Sequence, residues 1–132
     1  MKAVDTNILV RFLTGDDPVA FQRVAETLKS AHEREEPFRV TTPVLLELLW
    51  VLKESYALTR NDILDAVEKL LRLPVFAFES SECVRRFVAQ GRSTNFGLAD
   101  LLIGLTARQQ GCETTVTLDK KAGQSELFEE IP

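Results

Sequence analysis

Short apolar runs alternate along this chain with longer stretches of helical periodicity, and this alternation restricts the fold more than any other feature. Residues 2–5, 38–41, 74–78 and 114–118 read as four strands. Between them lie segments with apolar residues three and four apart. They run from Thr6 to about Leu13, from Val19 to about Glu35, onward from Thr42-Pro43 and from Thr59, from Ser80 or Ser81 to near Gly91, and over 98–110. The punctuation agrees: Asp17 caps a helix with Pro18 in its first turn, Thr59 and Asp62 resemble a capping box, and Gly111 supplies a left-handed stop. Strands separated by helices pair in parallel, and a parallel sheet needs cover on both faces. The expected class is therefore α/β, a three-layer α/β/α sandwich with a parallel central sheet. With no repeat, low-complexity tract or linker, residues 1–132 read as one domain.

Composition excludes several classes. Charged residues interrupt every apolar run well short of bilayer length, so no membrane span is expected. The N-terminus lacks the basic, apolar and small-residue regions of a secretory signal, which points to the cytoplasm. Cys83 and Cys112 are far apart, without CxxC spacing, and read as reduced thiols. The lone His32 lies in the charged run Glu33-Arg34-Glu35-Glu36, which argues against histidine-centred catalysis. A net charge of −4 argues against broad adhesion to nucleic acid without excluding a nuclease, so any contact with a polyanion must be local.

Within this frame four acids stand among apolar neighbours. Asp5 ends Lys2-Ala3-Val4, and Glu47 interrupts Val44-Leu45-Leu46 and Leu48-Leu49-Trp50-Val51-Leu52. Asp100 interrupts Leu98-Ala99 and Leu101-Leu102-Ile103, and Asp119 closes Thr115-Val116-Thr117-Leu118. Buried and unpaired, each would cost several kcal/mol, on the order of the penalty for any isolated interior charge. Four together imply one shared electropositive partner. In open parallel sheets, functional sites gather beyond the carboxyl ends of the strands. Asp5 and Asp119 follow strands directly, Glu47 lies one turn into the helix after the second strand, and Asp100 opens the helix before the fourth.

Two carboxylates about 5 Å apart repel by roughly 3 kcal/mol at an effective dielectric near 20. A cluster of four therefore calls for a cation, and oxygen-only ligands select Mg²⁺ or Mn²⁺ over Zn²⁺. Such a site suits in-line attack of a metal-activated water on a phosphodiester. Each acid also has a plainer reading. Asp5 could cap the helix that starts at Thr6, Asp119 could sit in a surface turn, Asp100 could favour the helix dipole, and Glu47 could pair with an arginine.

Val4-Asp5-Thr6-Asn7, Leu46-Glu47-Leu48, Ala99-Asp100-x-x-Ile103 and Thr117-x-Asp119, in this order and spacing, resemble the PIN domain across essentially the whole chain. More narrowly, they resemble the VapC-type ribonuclease toxins of toxin–antitoxin pairs. The resemblance implies Mg²⁺- or Mn²⁺-dependent RNA cleavage, a homodimer, and a small VapB-like antitoxin through which alone DNA would be contacted. It makes Asp5, Glu47, Asp100 and Asp119 the catalytic, metal-binding quartet, with Asp5 central, supported by Thr6 or Asn7 and by Thr117. Phosphate contacts fall to Arg11, Arg92, Lys120 or Lys121, each of which also reads as solvated surface charge. Two departures stand out: Lys120-Lys121-Ala122 replaces the aromatic that often follows the last acid, and Asn95 and Gly97 stand where some relatives carry a further acid. The second leaves the number of metals open.

Two other enzyme classes fit less well. A phosphatase of the haloacid dehalogenase type wants Asp-x-Asp, and Asn7 stands at the third position. A receiver domain needs an acidic pair before its phosphorylated Asp, and none is present. The non-enzymatic alternative is a weakly active or inactive PIN-type module that works mainly by binding its antitoxin.

Overall fold

The computed structural model describes residues 1–132. The chain divides into two compact units, residues 1–81 and 82–132, and each is described by itself.

The first unit begins with β1 (Lys2–Ala3), α1 (Thr6–Thr14) and α2 (Pro18–Glu33), and continues through β2 (Phe38–Val40), α3 (Thr42–Glu54), α4 (Arg60–Arg72) and β3 (Phe76–Phe78). Its sheet has the order β1-β2-β3 and both pairings are parallel, with Lys2 opposite Phe38 and Phe38 opposite Phe76. β1 is shorter than expected because Asp5 leaves the strand to cap α1, accepting a hydrogen bond from the Ile8 amide at 3.2 Å. α1 ends at Gly15, whose φ of 60° belongs to the left-handed region and lets its amide reach the Arg11 carbonyl. Asp17 and Pro18 start α2 as expected, with the Asp17 side chain accepting from the Ala20 amide.

α2 stops at Glu33, before Pro37 is reached. Glu35 takes φ 54°, and the Glu36 amide folds back onto the Ala31 carbonyl at 2.9 Å, a Schellman-type ending built without glycine. Leu9, Leu45, Leu48, Leu52, Leu64 and Val67 are buried almost completely and form the centre of this unit.

The second unit contains α5 (Ser81–Ser93), α6 (Leu98–Gln109), β4 (Thr115–Thr117), a short 3₁₀ turn (Ala122–Gln124) and β5 (Phe128–Glu130). α5 continues through Gly91, which lies buried inside the helix, so the following loop begins later than expected. Beyond the four strands read from the sequence, the chain forms a fifth near its end. β5 pairs in parallel with β4, Thr115 opposite Phe128. The five strands therefore fall into a parallel group of three and a parallel group of two. Gly104 lets β5 approach α6, since a Cβ there would lie 2.9 Å from the Phe128 ring and 3.0 Å from Leu127. Phe87, Leu102, Leu105 and Leu127 are among the side chains that fill this unit. No helix in the chain is long and apolar enough to cross a membrane.

Candidate active site

The carboxyl ends of β1, β2 and β3 define one edge of the three-stranded sheet, and parallel sheets concentrate chemistry there. Asp5 stands beyond β1. The next residue, Thr6, is the only buried polar side chain, 6% exposed, and its hydroxyl donates to the Glu47 carboxylate. That bond joins the first turn of α1 to the first half of α3 and brings Glu47 to within one residue of Asp5 along the hydrogen-bonded path. Beyond β2, the Thr42 hydroxyl donates to Glu79 Oε2 at 2.8 Å, and Glu79 itself stands just past β3. Glu79 was missed in the sequence, although it satisfies the same criterion as Asp5, an acid directly after an apolar strand.

The expectation that these acids are buried charges is not met. Asp5, Glu47 and Asp119 are exposed, and Asp100 is half-buried. For Glu47 the reason is helical geometry: Leu45, Leu48, Leu49 and Leu52 form the inner face of α3, so Glu47 and Trp50 point outward, with Trp50 63% exposed. Apolar neighbours in sequence are here not apolar neighbours in space.

In the second unit, Asp100 lies in the first turn of α6 with its carboxylate folded back against Gly97, where an added Cβ would come within 3.3 Å of Oδ2. Asp119 follows β4 and Leu118. Its Oδ1 accepts from the amides of Lys121 at 2.8 Å and Ala122 at 3.3 Å, and its own amide donates to the Thr117 hydroxyl at 3.0 Å. The plainer readings of Asp5 as a cap and Asp119 as a turn residue thus describe real contacts, each of which uses one carboxylate oxygen.

The arginine-pairing reading of Glu47 is overturned. Arg11 pairs with Asp16, Arg34 with Glu36, Arg72 with Glu68 and Arg86 with Glu82, and none of these pairs involves Asp5, Glu47, Asp100 or Asp119. Arg11 is engaged by Asp16 at 3.2 Å, and Arg92, Lys120 and Lys121 are exposed. Asn7 is exposed beside Asp5 and makes no side-chain hydrogen bond.

The donor chemistry suits a hard cation: carboxylates outside these ion pairs, with hydroxyl support, and no imidazole or thiolate among them. Each unit holds two of the four acids. No three side chains of ligand type stand close enough together to hold a metal ion.

Asp16, outside the site, has a lowered pKa. Hydrogen bonds from the Thr14 hydroxyl at 2.8 Å and the Tyr56 hydroxyl at 2.8 Å, with Arg11 adding charge, hold it below its ordinary value of 3.8. It fastens the end of α1 to the turn after α3 and has no part in the candidate site.

Comparison with known proteins adds two findings. Residues 2–126 match the family model of the PIN domain. The chain is also similar to a protein described as "VapC ribonuclease" from Aquifex aeolicus (strain VF5), at 24% identity over 121 residues, covering 92% of this chain and 89% of that one. No solved structure matches the chain.

Proposed function

This chain belongs to the PIN domain family, and from that premise we propose that it is a metal-dependent endoribonuclease of the VapC toxin type, hydrolysing RNA phosphodiesters in the cytoplasm. Asp5, Glu47, Asp100 and Asp119 would hold Mg²⁺ or Mn²⁺, with Asp5 central. When bound, the ion supplies electrostatic stabilisation of phosphoryl charge and lowers the pKa of a water nucleophile. The Thr6 hydroxyl fixes the rotamer of Glu47, and Thr117 fixes the backbone at Asp119. Pinning ligands before substrate arrives reduces reorganisation during the reaction. The partners of this reading are RNA, a VapB-like antitoxin that carries any DNA contact, and a second copy of the chain.

One observation carries the proposal: no lysine or arginine neutralises any of the four acids. Exposed or half-buried and held by no ion pair, these carboxylates stay open to a cation from solvent. The test is cleavage of RNA by purified protein with Mg²⁺ or Mn²⁺. Chelator should stop it, and Asp5→Asn should abolish it while far-ultraviolet circular dichroism remains that of a folded protein. Full activity in Asp5→Asn, or in chelator, overturns the proposal.

A second reading has a specific observation behind it. Asp5 and Asp119 each already serve a backbone capping role, which a binding module with little turnover would retain equally well. In that case wild type would bind its antitoxin but cleave RNA no faster than Asp5→Asn.

A further inference from the structure

A groove of about 560 Å³ opens between α1 and α2 within the first unit. Ala3 and Ile8 give it an accessible aliphatic surface above the buried Val24 and Leu28, while Asn7, Arg11 and Arg23 give it polar and cationic groups. Asp5 is part of the same lining. The two guanidinium groups differ in state. Arg11 is bonded to Asp16, whereas Arg23 has no hydrogen bond and no ion pair through its side chain. Arg23 also borders the shallow depression that continues along α2 past Glu26, Thr27 and Ser30 to Arg34.

The volume is that of a site for a ligand the size of one nucleotide, within the roughly 300–1,000 Å³ of small-molecule pockets. An aliphatic surface edged by guanidinium groups matches a flat ring attached to an anion. Single-stranded RNA offers that combination, with bases that splay onto apolar surfaces and phosphates that accept from arginine. A duplex keeps its rings stacked inside and has nothing to lay on Ala3 or Ile8. In a chain of net charge −4, any such contact must be local, and an arginine without an acidic partner is the local charge required.

We propose that the groove between α1 and α2 is a nucleotide subsite for the RNA strand, with Arg23 holding a phosphate next to the phosphodiester cut at Asp5. This rests on the ribonuclease reading of Asp5. Arg23 acts as a substrate-binding residue, Arg11 adds a second guanidinium, and the aliphatic surface accepts the base without reading its sequence.

The experiment uses the full chain and a short fluorescently labelled single-stranded RNA of mixed sequence, in chelator so that nothing is cut. Arg23→Ala should weaken binding about tenfold and make the dependence of log affinity on log salt shallower by about one phosphate contact. Arg85→Ala, an exposed arginine of α5, serves as the control and should change neither. Titration with uridine or adenosine monophosphate should shift the amide resonances of Arg23 and Thr27. With Mn²⁺ present, Arg23→Ala should raise KM more than it lowers kcat.

Equal losses in Arg23→Ala and Arg85→Ala would reduce the effect to diffuse charge and overturn the proposal, as would unchanged RNA binding in Arg23→Ala. Loss of binding to a short acidic peptide with RNA binding intact would make the groove a protein site and overturn it too. The two readings fail separately. If wild type cleaves RNA and Arg23→Ala matches it in KM, the subsite falls and the nuclease stands. If wild type cleaves nothing but RNA binding depends on Arg23, the reverse holds.

Discussion

Thr6 hydrogen-bonds to Glu47 from a buried position while the carboxylate it holds faces solvent. Thr6→Val keeps the side-chain shape and removes only that donor. Because a freed Glu47 can still be hydrated, unfolding in urea should show a loss of about 1.5 kcal/mol, the lower end for a bond to a charged group. Cleavage should fall by a larger factor than stability alone explains, and a variant as active as wild type would detach Thr6 from the chemistry. Asp16 gives a second test at this scale. Its carboxyl is lowered in the folded state, so it adds stability above the unfolded carboxylate range that is lost as pH falls through the lower folded value. Tyr56→Phe removes one of the two hydroxyl donors and should move the Asp16 carboxyl, followed by NMR titration, back toward 3.8. No movement would assign the shift to Thr14 and Arg11.

The secondary-structure elements were legible in the sequence wherever capping chemistry is local. Asp17-Pro18 and Thr59 marked helix starts because their side chains bond amides three residues on. Glu35 and Ala57 were invisible, because both take positive φ without being glycine and only the surrounding packing makes that conformation worthwhile. β5 was missed for a related reason. Three residues with a single buried side chain carry no period of their own, and the strand exists because β4 offers it an edge. That packing can be tested at Gly104, the point where α6 meets β5. Gly104→Ala should destabilise by about 1–3 kcal/mol through overpacking against Phe128 and Leu127. A melting temperature equal to or above wild type would show that β5 does not press on α6.

For the molecule as a whole, metal binding and stability are linked. Anything that binds only the folded form stabilises it, by about 2.7 kcal/mol at one hundred times its Kd. Adding Mn²⁺ should therefore raise the melting temperature of wild type and leave Asp5→Asn where it was; no rise in wild type would sink the ligand assignment. In chelator, Asp100→Asn should melt no lower than wild type, since Asp100 has no ion-pair partner to lose. A large drop would show that its charge is structural after all.

The α/β class, the parallel pairing and the helix starts followed from the order of residues alone, because periodicity, strand–helix alternation and capping are short-range physics. The four acids could also be picked out in this way, but for a reason the folded chain does not share. Their apolar neighbours in sequence line the far side of the helix or the strand before it, so the charges lie at or near the surface. The tertiary structure decided what sequence could not: which hydroxyl holds Glu47, that no guanidinium claims any of the four acids, that Glu79 stands at the same sheet edge, and that Arg23 shares a groove with Asp5. Each of these depends on which faces of separate elements meet, and that is set by long-range burial rather than by local sequence.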